Sequence, residues 1–521
     1  MREEIWLDTT SGDPVVAKDI LYAGQTYRVT LQGTFNVWPN PSSIGSHSGA
    51  SEAAPMWPTP GKDNGPVGLD PEFAFAWPPD SELENSATSG PQRVSSVQIS
   101  LDAGATWSHP DNAQPYDPTR HAYHYEVVGA EHPLQVRFVD AVHQDDYGRL
   151  RIVIERDPHF EPERLATGGN HSLVLTENGS IVAFGEGRKG QIGDGAATNR
   201  YAPVTLSEPT HATAVGVGQD HSLAITADGQ LWAWGDNSSG QLGADGATES
   251  TRSRPALVAG IGIVTQATGG QQHTLALTRE RQVFAWGDNR GYQLGDEGES
   301  RHQPRQVAGL PEQVRHLAAG NYHSLALAQD GSVWTWGENS AGQLGDGSRT
   351  KRATPQKVPG LPTDIRDIAA GDNYSLALAA DGSVWGWGQG DIGTLGEESA
   401  MKQLTPVQVA DLQNIVAIAG ADKHCLALSG DGKIWSWGTN QHGELGDGTT
   451  ENSATVVSVV GLDDVLAVVA NCGQHNLAVT VDCKVWGWGR NHVGQLGCKD
   501  AGIQADKPFE IPELNLLDLP Q

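Results

Sequence analysis

The sequence predicts an all-β fold. Three observations carry that prediction: one phrase recurs seven times in register, each copy reads as short strands joined by tight turns, and the segment ahead of the copies is strand-patterned without repeating. Repeats come first, because missing them misreads the architecture. A histidine, once a tyrosine, heads each phrase: His171, His221, His273, His323, Tyr374, His424 and His475, at intervals of 50, 52, 50, 51, 50 and 51 residues. An aromatic residue before a glycine follows, at Phe184, Trp234, Trp286, Trp336, Trp387, Trp437 and Trp488. A second glycine-rich phrase comes next: GQIG at 190–193, GQLG at 240–243, YQLG at 292–295, and so on to GQLG at 494–497.

Within the copy HSLALAQDGSVWTWG, Asp330-Gly331 is expected to supply the positive-φ positions of a hairpin turn. Trp334 and Trp336 stand two apart and so face the same side of their strand. Val333 and Thr335 on the other side are poorly polar, which implies a sheet covered on both faces. A propeller blade wedged between two others meets that condition, and a closed ring also protects sheet edges that would template aggregation. Residues 157–521 therefore read as a seven-bladed β-propeller; linear solenoids generally use shorter repeats. The tail KPFEIPELNLLDL (507–519) resembles the inter-repeat stretch TPQKVPGLPTDIRDIAAG (354–371), and ERLATGG (163–169) opens the first copy. From these ends the expectation is a closing blade that mixes strands from both termini.

Residues 1–156 carry their own strand candidates, at 26–35, 94–104, 122–129, 134–141 and 150–155, around a Pro/Gly/Ser/Asn-rich stretch from Pro39 to Pro91. Alternating patterning with turn signals predicts an antiparallel β-sandwich, joined to the repeats through RDPHFEPE (156–163).

Composition bounds the function. The chain has 521 residues, enough for two or more domains, with Lys+Arg 34 against Asp+Glu 63 and a formal net charge of -29. Such a field repels phosphate backbones, so no nucleic-acid partner is expected. No apolar run reaches the ~18 residues of a membrane span, and the opening MREEIW lacks the layout of a secretory signal, which by itself decides no compartment. Cys425, Cys472, Cys483 and Cys498 form no C-x-x-C pair, so zinc is not expected and reduced thiols are. No phosphate-binding loop, nucleophile elbow or zinc signature occurs, and the chain reads as no enzyme.

Two sets of repeated side chains invite functional readings. The seven His/Tyr positions are spread round a ring, too far apart to share one ion at ~2 Å bond lengths, so a structural bond to a neighbouring backbone is expected of each. The loop after each GQLG phrase falls at the same place in every blade, hence on one face. Across the first five copies it carries Arg200, Arg252, Arg254, Arg301, Arg305, Arg349, Lys351, Arg352 and Lys402, whereas the sixth, GTTENSATV (448–456), has no cation. A cationic arc on an acidic body suits an anionic protein partner, although Asp194, Glu249 and Glu299 mute it.

The pattern A-G-x-x-H-S-L-A-L-x-x-D-G-x-V-W-x-W-G-x-N-x-x-G-Q-L-G-D-G resembles the regulator of chromosome condensation repeat, over roughly residues 157–521. That resemblance implies a seven-bladed propeller, and its founding members exchange guanine nucleotides on a small GTPase. Plant ultraviolet-B photoreceptors share the repeat and place tryptophan in a Gly-Trp-Arg-His-Thr phrase. The matching positions here read GGNHS, GQDHS, GQQHT and GNYHS, without tryptophan, so photoreception is not expected. In the N-terminal segment, GQTYRVTLQGTFNVW and LQVRFVDAVHQDDYGRLRIVI resemble a jelly-roll family related to bacterial calcium-dependent galactose-binding lectins. The resemblance implies glycan binding and a calcium ion held from one hairpin loop by Asp140, Asp145 and Asp146, oxygen ligands of the kind calcium takes. SLDAGATW (100–107) matches the Asp-box hairpin, but one box alone does not make a sialidase. The combined expectation is a non-enzymatic bacterial recognition protein, extracellular or at the cell surface. Its propeller, which needs no cofactor, would be a protein-interaction platform, and its N-terminal domain a glycan binder with calcium. Inhibition of a secreted enzyme such as a β-lactamase and exchange-type regulation of a small GTPase stand as alternatives.

Overall fold

The computed structural model describes residues 164–176, 178–243, 249–390 and 402–516, and, as backbone strands alone, nine segments between residues 2 and 156. The chain divides into two compact units, Met1–His159 and Phe160–Gln521. In the first, Arg2–Asp8 and Thr26–Gln32 both pair antiparallel with Asp146–Arg156, and Val15–Leu21 and Ser96–Ser100 both pair antiparallel with His132–Val139.

The second unit is a ring of seven antiparallel four-stranded sheets, spanning 165–205, 212–257, 264–306, 314–357, 365–408, 415–458 and 465–515. Blade 4 shows the plan: Val314–Ala319, His323–Ala328, Val333–Gly337 and Arg352–Lys357 follow one another outward. The first strands of all seven blades line a central channel. Between the second and third strands, Gly331 alone takes the left-handed conformation (φ 77°), and Asp330 instead caps the turn, accepting from the Ser332 N–H at 2.9 Å. This hairpin needs one glycine rather than two positive-φ residues, because a type I turn followed by a bulge closes it.

The core lies between blades. Leu275, Leu277 and Val283 of blade 3 pack against Leu317, Ala319, Ala326 and Trp336 of blade 4, and the same arrangement recurs around the ring. Phe184 and Trp234, Trp286, Trp336, Trp387, Trp437 and Trp488 are fully buried there. Removing such a ring from a core costs about 3–5 kcal/mol.

A polar latch crosses each of these apolar seams. The Gln293 carbonyl of blade 3 accepts both the Trp336 indole N–H (2.8 Å) and the Ser324 hydroxyl (2.9 Å) of blade 4. Ser324 Oγ in turn lies 3.2 Å from His273 Nε2 of blade 3. Gln293 is the glutamine of the second repeated phrase, so that phrase has a physical meaning: it aims one carbonyl at the next blade. Its loop is held in shape by Asn289, whose Oδ1 accepts the Leu294 N–H at 2.9 Å. The indole N–H, the hydroxyl and the histidine Nε2 of the seam are paired, which offsets the cost of burying them, whereas the histidine Nδ1 is buried without a partner.

The ring closes without exchanging strands between the chain ends. Gln504–Asn515 is the outer strand of blade 7 and Leu165–Thr167 the inner strand of blade 1, so the expected mixed blade is not formed. Closure uses the ordinary seam instead: Leu165, Val174, Val182 and Phe184 pack on Leu477, Val479, Val485 and Ile511. The latch repeats there too, with Ser172 Oγ 2.8 Å from His475 Nε2 and donating to the Gln495 carbonyl at 2.8 Å. Each buried group left unpaired costs about 1–3 kcal/mol. A double-mutant cycle of Ser172→Ala and His475→Ala, read by urea denaturation, is expected to give a coupling of about 0.5–3 kcal/mol; strictly additive effects would mean that this seam is closed by packing alone.

Candidate functional site: the loop face and its cations

Register fixes which loops share a face. In blade 4, Gly337 pairs with Arg352 at one end of the sheet and Trp334 with Lys357 at the other. The long loops between third and fourth strands therefore emerge beside the turns between first and second strands. The hairpin turns and inter-blade linkers occupy the opposite face.

Of the predicted cations, three serve as struts inside their own loops. Arg200 Nε donates to Asp194 at 2.6 Å, and Arg301 donates to Asp296 at 2.7 Å and to the Leu294 carbonyl at 3.2 Å. Arg352 pairs with Asp346 and donates to the Thr335 carbonyl at 3.1 Å. Burial opposes ionisation of Asp296, but the bonds from Arg301 and the Gly298 N–H outweigh it and hold the carboxyl below its usual range. Arg305 also lies 3.5 Å from Asp296. The charge of these side chains is thus largely spent within the blade, which changes their expected place in a docking arc.

The remaining predicted cations are differently placed. Lys351 reaches back to the preceding blade, with Nζ 3.0 Å from the Arg290 carbonyl and 4.2 Å from the Tyr292 ring centroid. Lys402 makes the equivalent reach to the Ser340 carbonyl at 3.1 Å. Arg254 and Arg349 are exposed, and Arg252 is half-buried. Tyr292 itself holds φ 68°, where glycine stands in the matching positions 190, 240, 342, 443 and 494. A non-glycine residue there is strained by roughly 1–2 kcal/mol, and its ring supplies the platform under Lys351.

The His/Tyr ring is structural: Tyr374 bonds the backbone of the next blade as expected, whereas the histidines meet side chains. His171, His221, His273 and His323 meet Ser222, Thr274, Ser324 and Ser375 of the next blade at 2.8, 2.9, 3.2 and 3.0 Å, and His424 meets Asn476 Oδ1 at 2.7 Å. Each of these hydroxyls gives its proton to a glutamine carbonyl, for example Ser222 to Gln191. The hydroxyl must therefore accept from the histidine, which fixes the proton on Nε2. Burial pushes His171, His273 and His475 down to about 3 and His221 and His323 down to about 4, and it also lowers His424.

Sequence reasoning missed a carboxyl pair at the channel mouth on this face. Burial first, and then Asp422, push Asp372 up to about 9, so it is protonated at neutral pH. The available signal was an aspartate after the opening glycine or alanine in two successive copies, GDNY and ADKH. Among the described residues no cluster of three or more His, Cys, Asp or Glu side chains suits a metal ion. Asp140 and Asp145 lie outside the described residues, and Asp146 enters only as the first backbone position of its strand. None of the four cysteines is joined in a disulfide.

With this geometry in hand, comparison with known proteins decides the family. The model of the RCC1-like domain matches residues 143–361 and 265–518. The chain belongs to the RCC1-like domain family. The ultraviolet-B receptor UVR8 of Arabidopsis thaliana is 32% identical over 354 residues, covering 66% of this chain and 80% of its own. The probable E3 ubiquitin-protein ligase HERC3 of Homo sapiens is 35% identical over 258 residues, 48% of this chain but 24% of its own. Protein pim1 of Schizosaccharomyces pombe is 30% identical over 236 residues, 44% of this chain and 37% of its own. Among solved structures, human WBSCR16 superposes with a TM-score of 0.59 at 23% identity, over 64% of this chain and 94% of its own. Yeast RCC1 (Prp20) bound to Kap60 does so with 0.59 at 23%, over 68% and 86%. These structural likenesses establish the fold. In this RCC1-like domain the turns before each histidine hold Gly, Asn, Gln, Asp, Tyr or Lys and no tryptophan.

Neutral buried histidines make acid the weak point of the RCC1-like ring. Unfolded histidines bind a proton below about 6.5, while the folded ones refuse it until about 3–4. Stability is thus fully present above about 6.5 and is lost as pH falls, by up to about 1.4 kcal/mol per pH unit for each histidine. Urea midpoints measured from pH 7.5 to pH 5 are expected to drop steeply; a flat profile would contradict the latch.

Proposed function

We propose that the RCC1-like propeller is a non-catalytic docking platform. Its loop face takes an acidic protein surface through Arg252, Arg254, Arg349, Lys351 and Lys402. One observation carries this reading. On a chain of net charge -29, no carboxylate among the described residues pairs with these predicted cations inside their own loops, and they begin or precede the outer strands of blades 2, 4 and 5 on one face. An arc of that kind gives partner orientation and on-rate more than raw affinity, because the cations stay hydrated until a partner arrives. The latch supplies what such a surface needs beneath it, since loops anchored in rigid seams lose little entropy on binding.

The test separates exposed cations from struts. A photo-crosslinker at Arg349 on the full chain is expected to trap a discrete protein from the source cell. That product should be lost when Arg252, Arg254 and Lys351 are changed to Glu, and should weaken with salt. A crosslinker at Val481, on the opposite face, serves as the control. The same product from both positions, or one indifferent to the three reversals, would overturn the assignment of the loop face.

A further inference from the structure

Six inter-blade linkers can be compared, and one departs from the rest. Five read Val-Ala-Gly-Ile (258–261), Val-Ala-Gly-Leu (307–310), Val-Pro-Gly-Leu (358–361), Val-Ala-Asp-Leu (409–412) and Val-Val-Gly-Leu (459–462). The third residue of each has positive φ, at 76°, 82°, 81°, 60° and 75°. The fourth, Ile261, Leu310, Leu361, Leu412 or Leu462, packs in one cluster with the outer aromatic of the following blade: Phe284, Trp334, Trp385, Trp435 or Trp486. The linker from blade 1 to blade 2 reads Leu206-Ser207-Glu208-Pro209. Its glutamate replaces the positive-φ residue and its proline replaces the aliphatic plug, and Trp232, the matching outer aromatic, packs with Val204 and no such plug.

What the missing plug leaves is a cleft of about 490 Å³ on the face opposite the long loops, walled by Ser207, Glu208, Thr210, Thr226, Asp228 and Trp232 among others. That volume falls within the ~300–1,000 Å³ of ordinary ligand sites. The indole N–H of Trp232 is buried there with no hydrogen-bond partner. Its counterparts in blades 4 and 5 donate to Ser332 and Ser383 at 3.0 and 3.1 Å, but Gln230 occupies the serine's position in blade 2. The blade 7 counterpart uses Thr480 at 3.2 Å, whose match in blade 2, Thr226, bonds Asp228 and takes no proton from the indole. An orphaned buried donor is a cost the other blades avoid. The walls contain two carboxylates and no lysine or arginine. Asp228 is held in place by the Thr226 hydroxyl at 2.6 Å.

We propose that this cleft binds an extended peptide segment carrying a lysine or arginine. A peptide carbonyl takes the Trp232 N–H once exposed Gln230 gives way, and the basic side chain lies between Glu208 and Asp228. A neutral sugar would satisfy the indole and the hydroxyls but would leave two uncompensated carboxylates facing it. The acidic field of the whole chain also draws basic segments to the site. This site is independent of the loop face and stands whether or not that face docks a partner.

The experiment uses the full chain and fluorescein-labelled Gly/Ser octapeptides with two central Lys, Arg or Glu residues, followed by fluorescence polarisation with maltoheptaose as competitor. Basic peptides are expected to bind at least tenfold tighter than the Glu peptide. Glu208→Gln with Asp228→Asn is expected to weaken them tenfold or more. So is the linker swap Ser207→Ala, Glu208→Gly and Pro209→Leu, which restores the plug of blade 4; a retained melting transition shows that this variant folds. Asp381→Asn with Asp431→Asn removes the same charge from equivalent turns of blades 5 and 6 and is expected to leave binding unchanged. Equal binding of Lys and Glu peptides, equal loss in the control pair, full binding by the linker swap, or displacement by maltoheptaose would each overturn the proposal.

Discussion

A backbone carbonyl aimed at the next blade organises this molecule. In blades 1 to 4 the glutamine carbonyl of the second glycine-rich phrase accepts an indole N–H and a hydroxyl from the next blade, as Gln191, Gln241, Gln293 and Gln343 do for Trp234, Trp286, Trp336 and Trp387. The Glu444 carbonyl takes the Trp488 indole and the Asn476 amide, and the Gln495 carbonyl takes the Ser172 hydroxyl beside Phe184. Two donors on one acceptor use both of its lone pairs, so that carbonyl is fully answered inside the apolar seam. The geometry also sets the spacing of neighbouring blades, because the tryptophan that donates is the one that fills the core. Hydrophobic burial supplies the bulk of the stability, and the latch selects one register among the packings that burial alone would allow.

Departures from the pattern show that it is a physical constraint rather than a habit of sequence. Tyr374 replaces histidine in blade 5, and its longer ring reaches past the usual hydroxyl position. Its OH donates to the His424 carbonyl at 2.7 Å and accepts the Ala421 N–H at 3.0 Å. In the next blade Cys425 stands where serine stands elsewhere, so the two changes form a matched pair. At the sixth seam Asn476 substitutes for serine and keeps both contacts, accepting from His424 and donating to the Glu444 carbonyl at 2.8 Å. Glycines 168, 218, 270 and 320 precede their histidines closely enough that a Cβ on the backbone as placed would lie 2.1 to 2.2 Å from the imidazole, whereas blades 6 and 7 carry Ala421 and Cys472 at the matching position.

The repeat made much of this legible in the sequence. Blade number, hairpin turns and the buried aromatic of each third strand follow from period and patterning, since seven copies of one solution must share one physics. Closure was not legible, because the tail 507–519 has the composition of an inter-repeat linker and only ring geometry makes Gln504–Asn515 the outer strand of blade 7. The division of the cations was hidden for a related reason. An arginine five or six residues after the aspartate of the loop, as in Asp194–Arg200, Asp296–Arg301 and Asp346–Arg352, is folded back by the loop itself. That spacing was visible and would have separated struts from exposed charges. The cleft above Trp232 is marked by what one linker lacks, which shows only when the copies are compared with one another.

These features give the ring a division of labour. Seams and latches are repetitive and buried, so their substitutions preserve the packing, as at Phe184, or the contacts, as at Asn476 and at Tyr374 with Cys425. Loops and linkers stand outside that constraint, and they are where Tyr292, Lys351, Arg349 and the Glu208-Pro209 linker occur. The most direct test of the account is hydrogen exchange of the indole protons by NMR. The account predicts that the latched indoles of Trp234, Trp286, Trp336, Trp387 and Trp488 exchange together, at the rate set by global unfolding. Independent or rapid exchange of any of them under native conditions would show that the carbonyl latch does not hold the ring.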